Sequence, residues 1–305
     1  MNRSSHFRFS LLGPSWPFLV GVFVVFIFSP LFARVRSGDT ESLAKVAPAP
    51  SSESSGCDRL HASERSGKTN TNWLRTESEW TLGSKLAANA EQNVEMITDS
   101  FVVQYVNRLE QKIVDRSELP GCFVVKILID SEPNAYSLPG GFIYVTSGLV
   151  QRTDTEAELA GALAHETAHV TLHHMTRFQA QTRRWRRFAL FSSPAGYLLR
   201  RYLGPLLMYS LIRQEEFEAD RIGMQYQTMA GYDSLEFCRL LQNAIPDETG
   251  TTLLDRLYDT HPATGSRVRR LQSLSRSSTS SQAGYLLNTS DFDMMKTYFA
   301  KLSSP

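Results

Sequence analysis

The sequence predicts an α+β fold that is mainly helical, with a small β-sheet. Three observations carry this expectation. Most of the ordered chain repeats apolar residues at helical spacing, only two runs are rich in β-branched and aromatic residues, and turn residues cluster between those runs. At 305 residues the chain can bury a sizeable core, as one large domain or two small ones. Formal net charge is +1, so no global field argues for a nucleic-acid partner. Three cysteines, Cys57, Cys122 and Cys238, are too few for a disulfide scaffold or a thiolate metal site; in an oxidising compartment one pair bridges and one thiol is left.

Residues 1–33 read as a signal peptide or a membrane anchor. Arg3 and Arg8 precede an uncharged stretch from Phe9 to Ala33 with the apolar core "FLVGVFVVFIF". Cleavage after "LFA" and retention as an anchor both mean export. A mitochondrial presequence is the minor alternative, since no acidic residue precedes Asp39. Residues 34–76, with "APAPSSESSG" and "SERSGKTNTN", have the composition of a solvated linker.

Ordered sequence is expected from near Trp80. "KLAANAEQNVEMITDSFVVQYVNRLEQKIVD" has helical periodicity, with Val102, Tyr105, Val106 and Leu109 on one side. "CFVVKILI" and "GGFIYVT" are the two β-rich runs, and "DSEPNAYSLPGG" between them supplies turn residues. A helix from a capping box at Thr153 and Glu156 runs to His174, with small residues on every side, which predicts burial all round. Further helices are expected in "RQEEFEADRIGMQYQTMAG" with Gly231 as its stop, from Asp233 to before Pro246, and after "THPATGSR". Residues 276–305 read as a Ser-rich linker and a short amphipathic helix.

The chemistry lies in "LAHETAHVTLHH", which carries four of the seven histidines. His165 and His169 stand one helical turn apart, so both imidazoles can reach one metal ion. Glu166 lies roughly 100° round the helix, where it can reach a water but not easily the ion. That spacing is the HExxH pattern of zinc hydrolases, in which two histidines bind and one carboxylate acts as general base. A third histidine ten residues after the first would mark a metzincin; that position is Met175, so the metzincin arrangement is excluded. "RQEEFEAD" offers a third ligand: Glu216 could bind zinc while Asp220, one turn on, orients a ligand histidine. A solvated acidic face is the competing reading of that stretch. His173 and His174 are expected beside the ligands or at the surface, since three ligands and a water fill a catalytic site.

The chain resembles the HtpX/BepA/CaaX-prenyl-protease group of gluzincin peptidases. The resemblance rests, in order, on "YVNRL", "NAYSLPGGFIYVTSGLV", "HETAH", "RQEEFEADRIG", "AGYD" and "HPATGSR", and covers about residues 80 to 275. It implies a zincin-like domain over residues 77–275, its small sheet packed on the HExxH helix. One Zn2+ per chain would be held by His165, His169 and Glu216, the first Glu of E-x-x-A-D. Glu218, two residues further on, is no ligand. His261 and Arg267 fall on the family's His-Pro and following Arg, which contact substrate or stabilise charge near the metal; in some members the histidine blocks the zinc. An N–H donor or a cation near the developing oxyanion suits both residues; the plain alternative is that they open and solvate a helix. The resemblance also implies that Phe142, Ile143 and Tyr144 belong to an edge strand along which an extended substrate lies, with Asn134, Gly140 and Gly141 shaping its approach. The competing reading makes this strand core.

The implied activity is zinc-dependent endoproteolysis of misfolded or misassembled envelope proteins. The resemblance is nearest to periplasmic BepA-like members, without their helical-repeat domain. A latent or non-proteolytic chaperone retaining the zinc site is the alternative. Partners would be protein or peptide substrates and a membrane, with no nucleic acid. Residues 188–212, apolar but interrupted by Arg200 and Arg201, are read either as helices over the active site or as a membrane-facing hairpin with "RRWRR" at the headgroups.

Overall fold

The computed structural model describes residues 71–119, 121–188, 204–244, 265–277 and 284–302. The expected signal or anchor, most of the linker, residues 189–203 and His261 lie outside the described residues. The elements, in order, are α1 (Thr71–Ala90), a 3-10 turn (Glu91–Asn93), α2 (Ser100–Val114), β1 (Val124–Leu128), β2 (Ala135–Leu138), β3 (Phe142–Thr146), α3 (Ser147–Arg152), α4 (Glu156–Thr171), α5 (His174–Phe188), α6 (Gly204–Met229), α7 (Ser234–Ala244), α8 (Gly265–Ser277) and α9 (Ser290–Leu302). The mainly helical α+β class holds. Among the described residues no helix is long and apolar enough to cross a membrane.

The helical periodicity before residue 115 resolves into two helices. Asp99 breaks it: its carboxylate accepts from the backbone N–H groups of Phe101 and Val102 and so caps α2. Just before it the chain runs along β1: Ile97 N–H donates to Ile127 O, and Ile129 N–H donates to Glu95 O. The predicted face of α2, with Val102, Tyr105, Val106 and Leu109, is buried.

The sheet has the order β1-β3-β2, with β1 parallel and β2 antiparallel to β3. The expectation that Phe142, Ile143 and Tyr144 belong to an edge strand is therefore overturned, since β3 lies between β1 and β2. The stretch 135–138, taken for turn, is a strand pairing Ala135 with Val145 through to Leu138 with Phe142. Phe142, Ile143 and Tyr144 are buried, with both backbone edges engaged. Gly140 and Gly141 close the β2–β3 hairpin at φ 81° and 91°, a region that side chains disfavour. A Cβ on Gly140 would lie 2.5 Å from the Trp80 backbone, and one on Gly141 would lie 3.0 Å from the Phe123 ring. Gly141 is buried, while Gly140 is half-buried at the tip of the hairpin. Asn134 is half-buried just before β2; its carbonyl accepts from Thr146 N–H and its own N–H donates to Thr146 Oγ1.

Helix α4 is the centre of the molecule. Ala157, Ala160, Ala164 and Ala168 are fully buried, as its small residues predict, and α2, α6 and α7 all pack on it. Its cap is displaced by two residues from the expected one. Thr155 accepts from Glu158 N–H and the Glu158 carboxylate accepts from Asp154 N–H, while Thr153 donates to Val150 O. Glu156 is instead buried, accepting from Tyr232 OH at 2.6 Å and from Thr289. One face of helix α9 is apolar and buried: Phe292, Met295 and Phe299 enter the same core. Lys296 Nζ donates to Val150, Gln151 and Thr153 carbonyls at the end of α3. Cys122 is disulfide-bonded and Cys238 is a buried free thiol.

Candidate metal centre

Two helices build the centre. Helix α4 supplies His165 and His169 one turn apart, and α6 supplies Glu216 and Asp220 one turn apart. They approach closely because Gly223 has no side chain: a Cβ there would lie 3.0 Å from the backbone of Ala164 and His165. With that contact fixed, Glu216 faces both histidines.

His165 Nε2 and His169 Nε2 are 3.1 Å apart, and each lies 3.4 Å from an oxygen of Glu216. Donors bound tetrahedrally at about 2.0–2.1 Å from a zinc ion are separated by about 3.3–3.4 Å. The two imidazole nitrogens and the two carboxylate oxygens that face them are close to that separation, one ligand atom from each residue lies within 4.8 Å of the others, and two imidazoles with a carboxylate is a catalytic zinc set. The electrostatics agree. Burial alone would lower the pKa of His165, yet Asp220 and Glu216 outweigh it and raise it. A field that favours positive charge on this ring also favours a cation among the three donors.

Asp220 Oδ1 stands 3.2 Å from His165 Nδ1, the outer nitrogen, where it fixes the ring so that Nε2 keeps its lone pair. Arg267 holds Asp220 in turn, donating from Nε at 2.8 Å and from Nη2 at 2.6 Å, and its Nη1 meets Glu216 at 2.8 Å. Burial pushes the Asp220 carboxyl up, but Arg267 outweighs this and holds it below its usual range. Arg267 is 2% exposed. Its guanidinium is thus directed at the carboxylates of the centre, beside the proposed metal ligands.

Glu166 is buried beside the centre, and its charge acts on both Arg267 and Glu110. His174 meets His169 Nδ1 through its own Nδ1 at 2.9 Å, and its Nε2 lies 3.3 Å from Glu218. Burial, and after it the neighbouring His169, hold the His174 imidazole below its usual range. His173, at φ 56°, ends the run and pairs with Glu79 of α1 at 2.6 Å.

Two residues near the centre were not expected from the sequence. Glu110 accepts from Thr167 Oγ1 at 2.6 Å and is fully buried, and burial pushes its carboxyl up to about 8. The signal was a carboxylate on the apolar stripe of α2, directly after Leu109. Glu79 accepts from Thr176 at 2.6 Å as well as meeting His173, tying α1 to the start of α5; nothing in its local sequence marks it.

The profile of peptidase family M48 matches residues 102–275. The beta-barrel assembly-enhancing protease of Escherichia coli K12 is 27% identical over 212 residues, which cover 64% of this chain and 43% of that protein. A mitochondrial metalloendopeptidase of Schizosaccharomyces pombe is 29% identical over 175 residues, 55% of this chain and 51% of that protein. The protease HtpX homolog of Burkholderia thailandensis is 25% identical over 226 residues, 60% of this chain and 78% of that protein. The chain thus spans less than half the length of the first of these relatives.

Proposed function

The chain belongs to peptidase family M48, and on that premise we propose that it is a zinc-dependent endopeptidase of the HExxH gluzincin type. The observation that carries the reading is the convergence of His165, His169 and Glu216: the two Nε2 atoms are 3.1 Å apart, and the carboxylate turns one oxygen to each of them at 3.4 Å. A bound zinc ion would lower the pKa of water at the site and polarise the scissile carbonyl. Glu166 takes the proton of the attacking water and returns it to the leaving amine. Asp220 and Arg267 hold the ligands in place, which keeps the chemistry from waiting on side-chain rearrangement. His261 is assigned, on the family motif alone, to substrate contact or charge stabilisation near the metal.

The substrates we propose are misfolded or misassembled envelope or membrane-associated proteins, met in the periplasm or on the periplasmic face of a membrane. Support comes from the apolar N-terminal stretch, from the disulfide at Cys122, which suits an oxidising compartment, and from the relative named for barrel assembly. The yeast relative keeps a mitochondrial site as the second reading.

The test is zinc content and casein cleavage by the full chain beside Glu166→Gln. One zinc per chain in both, with cleavage by the wild type only, is the expected result. Zinc in both with cleavage in neither would point to a latent protease or a holdase, and a folded protein without zinc would overturn the reading.

A further inference from the structure

The two ligand histidines are held from behind by chemically different partners. His165 is backed by the carboxylate of Asp220, which Arg267 clamps. Behind His169 stands a second imidazole, His174, and behind that a carboxylate, Glu218. We propose that His174 is a positioning residue for His169, and that Glu218, through His174, fixes which nitrogen of His169 presents its lone pair to the metal. The proposal rests on the reading of His165, His169 and Glu216 as the metal ligands.

The backbone makes the contact possible. Helix α4 ends at Thr171 and Leu172, and His173 then adopts φ 56°. Few side chains take that conformation, and here it turns the chain so that His174 opens α5 with its ring directed inward. His174 is 2% exposed although it begins a helix whose sequence is strongly basic. An uninterrupted helix would place residue 174 five positions after His169, roughly 140° away on the opposite side. The break at His173 brings the two rings to a centroid distance of 4.8 Å, nearly perpendicular at 77°.

Hydrogen-bond polarity then follows step by step. A carboxylate only accepts, so His174 Nε2 must donate to Glu218. The two Nδ1 atoms can share only one proton, and a His169 that binds a metal through Nε2 carries it, which leaves His174 Nδ1 as the acceptor. The 2.9 Å contact between the two Nδ1 atoms therefore requires His169 Nδ1 to be the donor. His169 Nε2 is left with its lone pair, and this is the atom that stands 3.1 Å from His165 Nε2 and 3.4 Å from Glu216. If His174 took the other tautomer, its Nδ1–H would drive the His169 proton onto Nε2, where a metal could not bind.

Glu218 is well placed to hold this order. It lies two residues after Glu216 and two before Asp220 on α6, and it is kept in position by Arg177 Nη1 at 3.1 Å. One turn of α6 would then serve both histidines: Glu216 as ligand, Asp220 behind His165, and Glu218 behind His169 by way of His174. The rotation that excludes Glu218 as a ligand is what leaves it free for this second task.

The test measures zinc affinity of the full chain by competition with a chromophoric chelator, together with the visible spectrum of the cobalt-substituted protein. His174→Phe keeps the ring volume but removes both nitrogens; zinc affinity is expected to fall by about 10- to 100-fold. His174→Asn restores an acceptor toward His169 and is expected to recover most of the loss. Glu218→Ala, a change at a partly exposed position, is expected to weaken zinc binding by about 3- to 10-fold and to alter the cobalt spectrum. If His174→Phe fails to fold, the other two variants decide the matter. Folded variants with wild-type zinc affinity and an unchanged cobalt spectrum overturn the proposal alone. A wild-type chain that binds no zinc overturns both this proposal and the proposed metal ligands. Proteolysis is not used as a readout, so a latent enzyme does not affect the outcome.

Discussion

Arg267 grips Asp220 at two points, Nε to Oδ2 at 2.8 Å and Nη2 to Oδ1 at 2.6 Å, in a pocket where both side chains are 2–3% exposed. A paired guanidinium and carboxylate so far from water stand or fall together. Removing one leaves the other buried without its counter-charge, which costs about 3–5 kcal/mol. Arg267→Ala is accordingly expected to lower unfolding free energy by that order, measured by chemical denaturation in chelator. Arg267→Lys keeps the charge but not the two-point geometry, and is expected to recover only part of the loss. In the wild type the stabilisation from Asp220 is present above its ordinary pKa of 3.8 and is lost as pH falls through its lower folded value.

Glu110 gives the opposite sign. Its carboxyl rises from an ordinary 4.5 to about 8 in the fold, first through burial, and its Oε2 has no hydrogen-bond partner among the described residues. Between those two values the folded state holds a proton that the unfolded state has released, so stability falls as pH rises. Glu110→Gln keeps an acceptor for Thr167 and removes the titration. Its melting temperature is expected to match the wild type near pH 5 and to exceed it clearly at pH 8, by roughly a few kcal/mol in stability. Parallel melting curves for the two proteins across that range would refute the assignment.

Gly223 sets the separation of the two metal-centre helices. Gly223→Val would press on the backbone of Ala164 and His165 and push α6 away, carrying Glu216 and Asp220 with it. A loss of about 1–3 kcal/mol is expected from overpacking, together with weaker zinc binding. Isothermal titration with zinc beside thermal melting separates the two effects. Unchanged zinc affinity would mean that the helices tolerate the shift.

The boundary of the peptidase unit can be tested in the same way. We propose that residues 77–275 need α9 to hold their core, because Phe292, Met295 and Phe299 are buried in it. Phe299→Ala is expected to cost about 3–5 kcal/mol, and a chain ending at Ser275 is expected to lose its sharp thermal transition. A cooperative melt of that shorter chain would place the boundary before α9.

How much of this was legible depended on whether the deciding information was local. His165, His169 and Glu216 converge because two one-turn spacings fix which side chains share a face, and periodicity survives folding. The Asp99 break was also written locally, as an acidic residue and Ser100 ahead of Phe101, but the apolar pattern around it hid the cap. Thr153-x-x-Glu156 and Thr155-x-x-Glu158 fit the capping pattern equally well. Tertiary packing chose between them, since Tyr232 and Thr289, both distant in sequence, claim Glu156. The strand order failed for a related reason. "AYSL" is short and lies beside Pro139 and two glycines, so it read as turn, and without it β3 had an open edge. Glu218 could be excluded as a ligand by its angle on the helix, yet its partner became visible only once His173 had bent the chain.

The contacts of Glu156 also bear on how the molecule assembles. Its bond to Thr289 closes a loop of 133 residues, and Lys296 reaches back 146 residues to Val150. Contacts of such separation form late, because chain entropy must be spent before they return any energy. The helix bearing the two histidines therefore receives its final packing only after the chain has been made through residue 299. A chain not yet made through residue 299 would hold the motif without the enclosure around it, so maturation of the centre waits on residues more than a hundred positions after the histidines.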